Sequence, residues 1–226
     1  MHSTSLLKSI VTEINAPITA SVIWLHGLGA DGHDFAGITS QLQLPKSLGI
    51  RFIFPHAPVR SITLNRGFAM RAWFDIYSLN NLNQEDQAGI QLSEQAISQL
   101  LQQQQIAGVP AARIILAGFS QGGAMALYTG LRYPERLGGI LGLSTYLPLL
   151  PQFSSQAHEA NRQTPIFLAH GDQDDILPLE LGETTRNYLQ QAGYSVEWRQ
   201  YPMAHEVCLP EIADISRWLT NILLPA

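Results

Sequence analysis

The chain has 226 residues, 46% hydrophobic and 14% charged, with a formal net charge of −5. That balance is globular and excludes a disordered chain, and without a block of Lys and Arg it argues against nucleic acid as a partner. The single cysteine, Cys208, excludes an intrachain disulfide and a cysteine zinc cage, and no apolar run approaches the ~20 residues of a membrane helix.

The opening MHSTSLLKSIVTEINAP lacks a basic segment followed by a continuous apolar core. It therefore predicts no signal peptide, no integral membrane association and a cytoplasmic location. One domain over residues 1–226 is expected at this length. Ala20–Leu25 and 51–54 read as strands, followed by a hairpin or irregular loop over 59–75 centred on Asn65-Arg66-Gly67. Residues 84–105 read as a helix, with Ile90, Ile97, Leu100 and Leu101 near a 3.6-residue period and Gln102–Gln105 as its solvated end. Strand 113–117, helix 121–133 and strand 138–143 follow, the helix stopping before Pro134. Residues 146–164 read as a surface excursion. Strand 165–169, helix Leu179–Gln191, strand 194–201 and helix 210–223 close the chain. This alternation predicts an α/β fold of three layers, a mainly parallel sheet with helices on both faces.

Two glycine-rich turns stand out. The first, HGLGADG after the strand Ala20–Leu25, holds Gly27, Gly29 and Gly32 in the spacing of a dinucleotide site. Such a site also needs an acidic residue at the end of the next strand, for the ribose hydroxyl. That strand ends in Pro55-His56-Ala57-Pro58, with no carboxylate, so no dinucleotide cofactor is expected. The second, Gly118-Phe119-Ser120-Gln121-Gly122, is G-x-S-x-G. By chance that pattern occurs in about one chain in ten of this length, but here a strand precedes it and a helix rich in small residues follows. That is the setting of a nucleophile elbow, which projects a serine above the sheet.

A serine hydroxyl is a poor nucleophile and needs an imidazole base, itself oriented by a carboxylate. The two downstream loops that could supply them are 165–178, with Asp172, Asp174 and Asp175, and 201–210, with His205. Spacing does not choose among the three aspartates. The first glycines then acquire a second reading: a loop whose Leu28 N–H, together with Gln121 N–H, stabilises an oxyanion.

HGLG, PHAP, WFD, GFSQGG, HGDQD and MAHE occur here in the order found in acyl-protein thioesterases and bacterial carboxylesterases, and the chain resembles that family from about Ala20 to Leu223. The resemblance implies an α/β-hydrolase with Ser120 as nucleophile, His205 as base and Asp174 as acid, an oxyanion hole at Leu28 and Gln121, and no metal or cofactor. It also implies an acyl site at Trp73, Ile76, Tyr146 and Ile176. The substrate it implies is a small acyl ester, an acyl thioester or a lysolipid, and it makes a homodimer plausible. The alternatives are a lysophospholipase-type lipid hydrolase and a non-enzymatic binding module on the same fold. Arg71-Ala72 and Thr145-Tyr146 depart from the family pattern and bear on acyl preference, not on the triad. His26 and His170, each before a glycine, read as braces for the active-site loops rather than metal ligands. Cys208 reads as a small buried hydrophobe, and Trp24 and Trp218 as core.

Overall fold

The computed structural model describes residues 6–78 and 84–224. In chain order the elements are β1 (Ser9–Ile14), β2 (Ala20–Leu25), α1 (His33–Ala36), β3 (Ile50–Pro55), β4 (Val59–Ile62), β5 (Phe68–Arg71), α2 (Gln87–Ile106), β6 (Ile114–Phe119) and α3 (Gln121–Gly130). They continue with β7 (Gly139–Leu143), α4 (Phe153–Gln156), β8 (Ile166–Gly171), α5 (Leu179–Gln191), β9 (Val196–Tyr201) and α6 (Leu209–Leu223).

The main sheet has seven strands in the order β1-β3-β2-β6-β7-β8-β9. All pairs are parallel except β1 with β3. From β2 the chain first adds β3 on one side, then crosses to place β6 on the other. The strand order therefore reverses between β2 and β6, where open α/β sheets form their ligand crevice.

Alternation along the central strands divides the core. Ile23, Leu25, Leu116, Ile140 and Leu168 pack with residues of α2, α3 and α5. Val22, Trp24, Ile115, Leu141 and Phe167 pack on the other face with Ile215, Trp218 and Leu219 of α6. Strands buried on both faces read as continuous apolar runs, as VIWL and IILA do here. The three-layer expectation holds, as do Trp24 and Trp218 as core residues. The hairpin β4–β5 also forms, with Arg66 and Gly67 both at positive φ in its turn.

One strand was without any expectation, and two expectations need correction. β1 went unread: it is an edge strand, half-buried at alternate positions, with Glu13 and Val11 outward. The segment 146–164 is not a surface excursion through its length. Tyr146, Leu147, Leu149 and Phe153 are buried, and the buried Asn161 side chain bonds Leu137 N, Tyr133 O and Glu135 O. The end of α2 is not wholly solvated either, because Gln104 is buried and accepts from Ser21 Oγ at 3.1 Å.

Glu211, in the first turn of α6, is fully buried, and burial pushes its carboxyl up to about 8, with the Cys208 amide opposing. The unfolded chain ionises this group near 4.5. Folding thus retains a proton that the unfolded state releases, so its stability contribution is complete below about pH 4.5 and is lost as pH rises toward 8. Glu211→Gln is accordingly expected to raise Tm relative to wild type more at pH 8 than at pH 5. Thermal melts of both proteins across that range check it; a pH-independent difference would refute it.

Candidate active site

Ser120 follows β6 and precedes α3, with φ 53° and ψ −122°, a conformation that L-residues rarely hold. Its backbone is fixed at both ends: Ser120 N donates to Leu143 O at 2.8 Å, and Thr145 Oγ1 donates to Ser120 O at 2.7 Å. The flanking glycines are sterically required. A Cβ on Gly118 would sit 2.3 Å from the Gly122 backbone, and one on Gly122 would sit 2.3 Å from Leu25 O. The G-x-S-x-G pattern is thus the imprint of a helix pressed onto two strands.

His205, in the loop between β9 and α6, places Nε2 2.9 Å from Ser120 Oγ and Nδ1 2.7 Å from Asp174 Oδ2. Asp174 follows β8, and its carboxylate is buried. Its Oδ1 accepts from Ile176 N at 3.0 Å and Leu177 N at 2.8 Å. Of the three aspartates that spacing left open, Asp174 is the buried one that meets His205, while Asp172 and Asp175 are exposed. His170 lies beside this pair, with Nε2 2.8 Å from Leu177 O, and burial lowers its pKa. Neutral, it braces the loop that carries Asp174.

The two amides expected as oxyanion donors sit on neighbouring turns. Leu28 and Gln121 both line a cavity of about 310 Å³ that opens over Ser120. Among the described residues, neither amide takes part in the turn and loop hydrogen bonds around it. Gln121 N–H is one of the orphan donors at a helix start, where the macrodipole favours negative charge. The Gln121 side chain is turned away: Oε1 accepts from Trp73 N and Nε2 donates to Phe74 O, both at 2.8 Å.

His26 explains how the Leu28 amide is aimed. It is buried, its Nε2 accepts from Ala57 N at 3.0 Å, and Nδ1 lies 2.7 Å from Gly27 O. A carbonyl only accepts, so Nδ1 carries the proton; burial lowers the pKa and keeps the ring neutral. In a trans peptide the C=O and the following N–H point in opposite directions. Holding Gly27 O back toward His26 therefore directs Leu28 N–H the other way. Losing an oxyanion donor costs about 10²–10³ in kcat. With Leu28 N–H in the role the resemblance implies, His26→Ala misaims this donor without deleting it, so kcat is expected to fall by about 10–100-fold with a smaller change in KM. Steady-state kinetics on a small ester check this; a pure KM effect would refute it.

The acyl-site expectations divide. Ile76, Tyr146 and Ile176 line the cavity, Ile176 at an exposed rim. Trp73 does not line it. This residue is fully buried behind the HGLG loop, donating from Nε1 to His26 O at 2.9 Å and accepting at its carbonyl from Ser93 Oγ. It supports that loop and forms no part of the cavity wall. The cavity also takes Leu64 from beside the hairpin turn, Asp34 and Leu177, none of which sequence reasoning singled out. Leu64 is an exposed leucine near a turn, and nothing local in the sequence marks it. Behind Tyr146, its hydroxyl meets Glu85, which accepts from Leu149 N at 2.7 Å and is pushed up to about 7 by burial.

A mostly parallel sheet with a serine on a strained turn beside its switch point defines the α/β-hydrolase class. Within that class the chain belongs to the phospholipase/carboxylesterase family, which it matches over residues 7–223, and it is a serine hydrolase. It is 42% identical over 214 residues to acyl-protein thioesterase 1 of Neurospora crassa, covering 91% of this chain and 87% of that one. To acyl-protein thioesterase 1 of Gibberella zeae it is 40% identical over 216 residues, 92% of each. Among solved structures it is similar to Arabidopsis thaliana SOBER1, with 30% identity and a TM-score of 0.86 over 91% of this chain and 99% of that one. The Zea mays acyl-protein thioesterase 2 structure gives 29% identity and a TM-score of 0.83 over 96% and 99%. Among the described residues, no helix is long and apolar enough to cross a membrane.

Proposed function

We propose that the protein hydrolyses acyl esters or thioesters through an acyl-enzyme on Ser120. The observation that carries this reading is the unbroken relay Ser120–His205–Asp174 at 2.9 and 2.7 Å, opening onto a cavity with apolar walls. His205 Nε2 takes the Ser120 proton as Oγ attacks the acyl carbonyl. The carbonyl oxygen becomes an oxyanion held by Leu28 N–H and Gln121 N–H. His205 returns the proton to the departing alcohol or thiol, and Asp174 stabilises the imidazolium and fixes its tautomer. Water, activated by the same imidazole, releases the acid. These steps call for no metal or cofactor.

The acyl chain lies against Leu64, Ile76, Tyr146 and Ile176. The relatives named acyl-protein thioesterases favour a thioester among the substrates; a small ester and a lysolipid present the same carbonyl. A cytoplasmic site of action belongs to the same reading. The test is hydrolysis of p-nitrophenyl esters from acetyl to palmitoyl, beside the matching thioesters. Turnover with a defined chain-length optimum is expected. A protein inert toward every ester and thioester would be a binding module, and the proposal would fall.

A further inference from the structure

We propose that the groove leading outward from His205 receives the leaving group and selects one that carries positive charge near the scissile bond. The inference rests on the reading of Ser120 and His205 given above and concerns the side of the site opposite the acyl chain.

Two concavities meet at His205. One is the apolar-walled cavity already described. The other, about 370 Å³, is lined by Asp34, Phe35, Phe119, His205, Glu206 and Val207 among others. The chemistry assigns them. His205 Nε2 must hand its proton to the departing oxygen or sulfur, so that atom and what it bears leave on the imidazole side. The apolar walls take the acyl chain and the second concavity takes the leaving group.

The character of this second concavity is specific. Two of its residues are carboxylates, Glu206 lining this concavity alone and Asp34 standing on the border with the acyl cavity, and among the described residues no Lys or Arg lines either one. Among the described residues, neither Asp34 nor Glu206 has a cation within 4.0 Å. Arg71 lines the next hollow with Asp31 and Asp34, donating from Nη1 to Ala57 O at 2.8 Å, and it stays more than 4.0 Å from the Asp34 carboxylate. Asp34 is an exposed residue whose carboxyl is nonetheless withdrawn enough from water to raise its pKa. A carboxylate so placed, without a partner, favours an incoming cation.

A second, independent feature points the same way. Phe35 and Phe119, both partly exposed, lie 5.7 Å apart by ring centroid, and Phe119 lies 4.7 Å from the His205 ring. Aromatic faces beside carboxylates form a surface suited to an ammonium or guanidinium group. An anionic leaving group would meet two like charges there.

The test compares leaving groups of one shape. Octanoylcholine and 3,3-dimethylbutyl octanoate differ in whether the terminal quaternary centre is nitrogen or carbon. A second pair, S-octanoyl cysteine peptides flanked by lysines or by glutamines, offers the same charge from a peptide. Each is assayed at low ionic strength with wild type and with the Asp34→Asn, Glu206→Gln double variant, whose fold is verified by melting. In at least one pair the cationic member is expected to lead by about tenfold in kcat/KM, equal to about 1.4 kcal/mol. That ratio should fall toward one in the double variant and in high salt. Which pair responds identifies whether a small ammonium or a basic peptide is the source. A ratio near one in wild type for both pairs overturns the inference, and so does a ratio that survives the double variant. If no member of either pair is turned over, it is the hydrolase reading that fails instead.

Discussion

Ser120→Ala is expected to lower kcat/KM on a short p-nitrophenyl ester by about 10⁴–10⁶-fold while the protein stays folded. The substitution removes Oγ and its bond to His205 Nε2 but leaves the backbone anchors of the turn, Leu143 O and Thr145 Oγ1, in place. Alanine adopts the strained φ of 53° with the same difficulty as serine, so little change in melting is expected. Residual turnover would come from the Leu28 and Gln121 amides polarising a bound carbonyl for attack by water. The measurement is kcat/KM for both proteins from one preparation, with titration of the variant by an organophosphonate. Undiminished activity would sink Ser120 as nucleophile and turn attention to the half-buried thiol of Cys208.

Asp174→Asn is expected to cost about 10³–10⁴-fold in kcat with little loss of substrate binding. The reason lies in the two backbone amides. Ile176 N and Leu177 N both donate to Oδ1, so the asparagine must place its oxygen there. Its NH₂ then faces His205 Nδ1, where Asp174 Oδ2 stood 2.7 Å away. An NH₂ can only donate, so Nδ1 must accept and the ring proton moves to Nε2. His205 would then present a proton to Ser120 instead of a lone pair. Nitrogen-15 shifts of His205 report the tautomer directly. A variant with kcat within tenfold of wild type, or with Nδ1 still protonated, would show that the amides do not hold the side chain as described.

The sequence made the central architecture legible because its strands are buried on both faces. Such strands write themselves as unbroken runs like VIWL, whereas β1, with Val11 and Glu13 outward, carries only a weak alternation. The elbow was legible for a related reason: close backbone approach forbids a Cβ at Gly118 and Gly122, and steric prohibition leaves a glycine in the sequence. The identity of the acid was not legible in spacing, since Asp172, Asp174 and Asp175 all sit in one turn and only burial separates them. Trp73 shows the opposite limit. The family resemblance assigns it to the acyl site by its WFD motif, and only tertiary contact reveals a side chain donating to His26 O from behind the loop. The burial of Leu147, Leu149 and Phe153 was masked by the prolines and polar residues around them.

The pairing of β2 with β6 aligns Leu25 with Gly118. Leu28 and Gln121 each lie three residues beyond those partners, so the gap between the proposed oxyanion donors is gauged by a ladder whose strands are ~4.8 Å apart. A one-residue slip would shift one donor by ~3.3 Å and turn inward side chains outward, which the doubly buried core resists. Dimensional control of the chemistry therefore resides in the most rigid part of the molecule. The hairpin and the acid-bearing groove hang from that gauge without setting it, so they are free to be remodelled for new acyl chains or leaving groups while the reaction itself stays in register.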